Sequence, residues 1–187
     1  FIAVTLIFVI STFTASAQTS DLLFKAGAAK VDVTPDEKAL PKNIEGIHDR
    51  IYSRAIVIDN GKTSAALVTV DTGMLFEQLW KNLTQKIEKE LGIPAQNILL
   101  TPTHTHSSIF GPQPGLEGLI FKSVKMAKER LQPARIGYGT GVSYVNVNRN
   151  IIDPKTRKWW EGPNYDGPSD KTVAVIKIES INGEPIA

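Results

Sequence analysis

Apolar and polar positions change period several times along the chain, and each change predicts an element. Ala26 to Val33 reads as a strand, closed by Thr34-Pro35-Asp36. A loop rich in Pro, Lys and Glu runs on to Gly46. Ile51 to Ile58 and Ala65 to Val70 are two further strands, and Asp59-Asn60-Gly61-Lys62 between them predicts a hairpin turn. The period then lengthens. Phe76, Leu79, Trp80, Leu83, Ile87 and Leu91 recur at steps of three and four, which puts one apolar stripe on a helix. Gly92 and Pro94 stop that helix.

Ile98 to Thr101 is a short apolar run that predicts a buried strand. A second helix is expected from Leu116 to Leu131, with Leu116, Leu119, Ile120, Val124, Ala127 and Leu131 inward and Lys122, Lys125, Lys128 and Arg130 outward. Pro133 ends it, and Ala134 to Tyr138 resumes as a strand. Trp159 through Asp170, rich in Gly, Pro and Asp, reads as a loop. Thr172 to Ile181 is a strand, and Asn182-Gly183 predicts a hairpin in which both turn residues take positive φ. Strands alternating with helices give an α/β fold: a mixed sheet with βαβ units and β-hairpins.

Both ends look interrupted. Residues 1 to 17 run from an apolar stretch, Phe1 to Ile10, to Ala15-Ser16-Ala17, the h-region and cleavage site of a secretory signal without its basic start. A transmembrane anchor would need about 20 apolar residues, and hydroxyl residues break the second half of this run. The expected product is a secreted, periplasmic or cell-surface protein beginning near Gln18. The last strand has scarcely begun when the chain reaches Ala187, so residues 18–187 read as the N-terminal part of a larger domain.

Composition narrows the chemistry. Among 187 residues, 21 Lys and Arg face 19 Asp and Glu, a net charge of +2, too balanced for the strong field of a nucleic-acid binder. With 42% hydrophobic and 21% charged residues the chain is an ordinary globular one. Cys is absent, which excludes disulfides, thiolate-held zinc and thiol catalysis. Imidazole chemistry must draw on three residues, His48, His104 and His106.

His104 and His106 stand in Thr103-His104-Thr105-His106-Ser107-Ser108, just beyond the strand Ile98 to Thr101. In extended chain, residues two apart point to one side, so both imidazoles would face one point. Open α/β sheets carry their sites beyond the carboxyl ends of strands. A pair of surface His in a Thr/Ser loop is the alternative. Two His do not complete a zinc site, which takes three or four protein ligands. His48 and the carboxylates Asp49 and Asp71 are the nearest further candidates. Asp71 would accept an imidazole N–H or cap the turn into the first helix. A solvated charged turn is the other reading of His48-Asp49-Arg50, and the favoured one for Asp49; His48 stays open as a ligand.

Five segments in order carry a family resemblance: Ala26-Gly27-Ala28-Ala29-Lys30-Val31-Asp32-Val33-Thr34-Pro35, Gly46-Ile47-His48-Asp49-Arg50 with the Ser53-Arg54-Ala55 that follows, Val68-Thr69-Val70-Asp71-Thr72-Gly73-Met74, Thr103-His104-Thr105-His106-Ser107, and Asn146-Val147-Asn148-Arg149. In this order they resemble the N-terminal catalytic domain of the neutral/alkaline, non-lysosomal ceramidases. The resemblance implies hydrolysis of the amide bond of ceramide to sphingosine and a fatty acid at one zinc ion. By motif, His104 and His106 correspond to two zinc ligands and Arg149 to an arginine at the family's active site, a candidate for substrate contact, with a salt bridge in its Asn-rich loop as the alternative. A third His, Glu and Tyr ligands and an active-site Ser are implied farther along the chain, so the 187-residue piece is expected to be inactive by itself. A lipid or small-molecule amide substrate is implied, with peripheral membrane contact to reach it and no nucleic acid. Ser108-Ile109-Phe110 departs from the family's Gly/Pro-rich continuation after His106. The metal site is therefore the stronger part of the likeness, and a zinc hydrolase of another amide or ester, or a non-enzymatic secreted domain, are the other readings. An amidohydrolase barrel also carries His-x-His at a strand end, but it is built from parallel strands, against the two Asn-Gly hairpins.

Overall fold

A computed structural model describes residues 24–187 apart from 43, 110 and 112. The secretory segment expected at residues 1 to 17 lies outside the described residues. Ten regular elements follow in order: β1 (Lys25–Asp32), β2 (Tyr52–Asp59), β3 (Ser64–Val70), α1 (Glu77–Leu91), β4 (Ile98–Pro102), α2 (Leu116–Glu129), β5 (Gln132–Val142), β6 (Asn148–Ile152), β7 (Trp159–Asn164) and β8 (Thr172–Ser180). Six strands form one sheet in the order β4-β3-β2-β1-β5-β8. Within it β3 and β4 are parallel, and the other neighbours are antiparallel. The expected mixed α/β sheet is thus present, with one βαβ unit, β3-α1-β4, and the β2-β3 hairpin.

The helices cover one face of this sheet. Ala55 and Val57 of β2, with Ala66, Val68 and Val70 of β3, alternate inward and meet Leu83 and Ile87 of α1 and Ile120, Val124 and Ala127 of α2. Those are the stripe positions expected from their spacing. Helix α1 closes at Gly92, which takes φ 66 and donates its N–H to the Glu88 carbonyl at 2.9 Å. At Gly27 of β1 the sheet and α2 touch so closely that a Cβ there would lie 2.2 Å from the Ala127 carbonyl oxygen. One polar pair sits inside this layer. Ser123 donates to the Ile120 carbonyl at 2.7 Å, so its single proton is used, and Ser53 donates to Ser123 at 2.9 Å. On the opposite face a smaller cluster joins Ala26, Ala134 and Ile178.

Three expectations are corrected. Trp159–Asn164 is a strand, β7, paired antiparallel with β6 in a separate two-stranded ribbon. Gly162 and Pro163 disguised it, but Gly162 is small because the Trp160 ring occupies the space its side chain would need. β4 is an edge strand: Ile98 is buried, whereas Leu99 is 59% exposed. In both Asn-Gly turns the glycine alone takes positive φ, 80° at Gly61 and 88° at Gly183. The second turn still folds back, with Pro185 bridged to Glu179 and the Ile186 N–H on the Ile178 carbonyl at 2.9 Å. Among the described residues no helix is long and apolar enough to cross a membrane.

Candidate metal centre

Parallel pairing of β3 and β4 sets Val70 beside Pro102, so the loops that leave these strands start as neighbours. The Thr103 N–H bonds the Val70 carbonyl at 2.8 Å and carries the contact one residue further. The β3 loop contains Asp71, Thr72 and Gly73; the β4 loop contains His104 and His106. The Nδ1 atom of His104 lies 2.7 Å from the Gly73 carbonyl oxygen. A carbonyl only accepts, so Nδ1 carries the proton, and in the neutral ring Nε2 keeps its lone pair. An orientation of this kind, by a backbone carbonyl, is what ligating imidazoles commonly have.

The two imidazoles stand together, with ring centroids 5.1 Å apart and planes at 77°. The route differs from the extended backbone expected. β4 ends at Pro102, and His104 adopts φ 57, a left-handed conformation that turns the chain. Alternation along a strand therefore does not bring the rings together; a turn does. Both His residues are exposed.

His106 also lines a cleft of about 930 Å³. One wall comes from residues 34 to 51 and is apolar at Leu40, Pro41, Ile44 and Ile47; the other comes from Thr105 to Ile109. His48 and Asp49 line the same cleft. His48 Nδ1 pairs with Asp49 Oδ2 at 2.8 Å, both side chains being exposed, and this carboxylate raises the imidazole above its ordinary pKa. Across the turn, Arg50 donates to Asp32 at 2.6 Å. The Asp32 carboxylate also accepts from Thr34, and together these hold its pKa down at about 2. Asp49 thus lies in the solvated charged turn expected of it, with His48 beside it on the cleft.

Asp71 takes another role from those foreseen. Its Oδ2 accepts from the Tyr52 N–H at 3.0 Å and from Arg54 at 2.7 Å, tying the β3 loop to β2. Helix α1 begins after Phe76 with no side-chain cap, and the Gly73 carbonyl receives the His104 proton. Two features had no sequence signal. One is that carbonyl, since every residue has one. The other is Ser108, whose hydroxyl oxygen is buried beside the cleft with no hydrogen-bond partner among the described residues.

Arg149 lies in β6, next to a register shift between Asn148 and Asn150. Its guanidinium pairs with Glu161 of β7 at 2.9 Å, both side chains well exposed. Among the described residues no three His, Cys, Asp or Glu side chains form a group able to hold a metal ion. Two imidazoles are donors of a kind zinc accepts, and a zinc site takes three or four protein ligands.

Comparisons with known proteins agree on one family. The family model described as neutral/alkaline non-lysosomal ceramidase, N-terminal, matches residues 38–114, which include His48, Asp71, His104 and His106. A neutral ceramidase of Pseudomonas aeruginosa is 28% identical over 98% of this chain and 32% of its own length. Neutral ceramidase A of Dictyostelium discoideum is 30% identical over 80% of this chain and 24% of its own. The chain spans about a third or less of these relatives. A solved structure titled "Ceramidase complexed with C2" superposes with a TM-score of 0.68 at 25% identity, covering 87% of this chain and 30% of that one. The crystal structure of the Pseudomonas aeruginosa neutral ceramidase, at TM-score 0.67 and 24% identity, shares the fold.

Proposed function

Because the chain is a relative of the neutral/alkaline non-lysosomal ceramidases, matching their N-terminal region, we propose that the full-length protein is a zinc-dependent amidohydrolase that cleaves the N-acyl bond of ceramide-class lipids. One observation carries the reading: two imidazoles lie 5.1 Å apart at the carboxyl end of a strand, and one has its Nδ1 committed to the Gly73 carbonyl. That hydrogen bond leaves Nε2 of His104 as an electron-pair donor toward a cation. His104 and His106 would hold the metal, with the remaining ligands supplied by chain outside residues 1–187. A zinc ion there would lower the pKa of its bound water and polarise the scissile carbonyl.

The residues of this chain account for binding and orientation. The wall formed by Leu40, Pro41, Ile44 and Ile47 suits a hydrocarbon chain, and the wall carrying His106 and Ser107 suits the polar amide end. Arg149 would contact a polar group of the substrate through its planar fork of donors. Residues 1–187 by themselves carry two ligands and would be inactive. The apolar run and Ala-x-Ala at residues 1 to 17 support action outside the cytoplasm.

The test is hydrolysis of a ceramide and of unrelated amides and esters by the full-length protein, before and after chelation and zinc return. Zinc-dependent release of fatty acid from ceramide supports the reading. Chelator-resistant hydrolysis sinks the metal, and zinc-dependent cleavage confined to another amide or ester replaces the substrate.

A further inference from the structure

The ribbon of β6 and β7 is apolar on both faces near its turn. Its register opposes Ile152 to Trp159 and Ile151 to Trp160. Successive pairs face opposite sides of a two-stranded ribbon, so each face carries one indole and one isoleucine. Ile152, Trp159 and Trp160 are 51%, 59% and 52% exposed. The indoles are held in place. Trp159 donates its Nε1–H to Asn150 at 2.9 Å, and the Trp160 ring lies over Gly162, where a Cβ would come within 2.7 Å of it.

The turn beyond them is basic. Asp153 accepts from the backbone N–H groups of Lys155 and Thr156, at 2.9 and 2.6 Å, so its carboxylate is engaged in building the turn. Lys155, Arg157 and Lys158 are exposed, and among the described residues no carboxylate forms a salt bridge with them. Arg157 holds φ 58, where Gly or Asn is the low-cost residue. The tip therefore keeps a cation at a position whose backbone favours another residue.

A protein partner docking flat would cover one face of the ribbon and leave the other indole wet. A lipid interface surrounds both faces: indoles rest at headgroup level, and cations meet the phosphates. We propose that the tip of the β6-β7 ribbon, residues 151 to 160, is the protein's docking element for an anionic membrane surface. The proposal rests on the lipid-substrate reading only for its purpose, because lipid binding is measured without turnover.

The experiment sediments the full-length protein with vesicles of phosphatidylcholine alone or mixed with phosphatidylglycerol. Binding is expected on the anionic vesicles and should fall as salt rises. Arg157→Gly should lower partition on the order of fivefold with no loss of thermal stability, and the triple change Lys155→Gln, Arg157→Gly and Lys158→Gln on the order of a hundredfold. Brominated lipid should quench the tryptophan fluorescence, and Trp159→Phe with Trp160→Phe should remove most of that quenching. Equal binding by wild type and the triple variant overturns the proposal. So do indoles already shielded from aqueous quenchers in lipid-free protein, because further chain or a partner would then cover the ribbon. Ceramide hydrolysis, measured on the same samples, reports separately on the proposed activity.

Discussion

The Nδ1–H of His104 is held on the carbonyl of Gly73, 31 residues earlier, across 2.7 Å. Two loops after adjacent parallel strands are joined there, and the proton is placed on one nitrogen of the ring. The first prediction follows from that placement. In metal-free protein with the ring neutral, ¹⁵N correlation spectra should show His104 as the Nδ1–H tautomer with Nε2 unprotonated. Isothermal zinc titration of the full-length protein should then show His104→Asn and His106→Asn each losing tight binding. Melting temperatures should change little, since both side chains are exposed. Asn suits position 104 because it tolerates the left-handed backbone. An Nε2–H tautomer would mean that the Gly73 contact does not orient the ring.

Much of this layout was legible from side-chain pattern, and the unread parts have identifiable causes. Leu83 and Ile87, or Ile120 and Val124, declare a helix because burial follows a 3.6-residue period. His104 and His106 were legible as a pair, but not the turn that joins them, because a left-handed His leaves no trace in residue type. Gly137, Gly139 and Gly141 resemble breakers, yet β5 runs through all three, held by its register with β8. Backbone partners such as Gly73 are invisible in any one-letter string.

Gly27 tests the contact between sheet and helix. Its missing side chain lets β1 approach α2, and an added methyl would stand 2.2 Å from the Ala127 carbonyl oxygen and 2.8 Å from the Arg130 carbonyl carbon. Backbone cannot rotate away as a side-chain tip can, so β1 and α2 must separate. Gly27→Ala should cost about 2–3 kcal/mol of unfolding free energy. Gly139→Ala, where nothing lies within 4 Å, serves as the control and should stay within about 0.5 kcal/mol. Urea denaturation of both variants decides it; equal midpoints would show that the helix does not sit where the close approach requires.

Asp32 makes stability fall in acid. Bonds from Thr34, then Arg50, lower its carboxyl from the ordinary 3.8 to about 2 in the folded protein. A group whose folded pKa is depressed contributes stability above its unfolded pKa and loses it as pH falls through the folded one. The contribution is complete above about pH 4–5 and vanishes toward pH 2. Asp32→Asn should lower the melting temperature at neutral pH and flatten its decline between pH 4 and 2, where melting curves on both proteins can be compared. Parallel declines would remove Asp32 as a source of acid sensitivity. The partner side chains are partly exposed, so the effect should shrink in high salt.

Arg149 separates substrate contact from scaffolding. Its one charged partner among the described residues is Glu161, and side-chain exposures of 63% and 60% leave that pair in water. Exposed ion pairs contribute about 0–1 kcal/mol, and Lys reproduces such a contribution nearly as well as Arg. If the pair is all that Arg149 does, Arg149→Lys and Arg149→Ala should each shift stability slightly and leave turnover near normal. The proposed role against a polar substrate group sets a different pattern. A single ammonium cannot replace a planar fork of donors, so Arg149→Lys should cut kcat/KM about 10–100-fold, equivalent to about 1.4–2.8 kcal/mol of lost transition-state stabilisation. Zinc content and melting temperature should match wild type, because Arg149 is not placed among the ligands. Glu161→Gln supplies the internal control: it breaks the same ion pair without touching the guanidinium and should preserve turnover. Near-normal kcat/KM in the Lys variant of the full-length protein would withdraw Arg149 from the site and leave His104 and His106 as they stand.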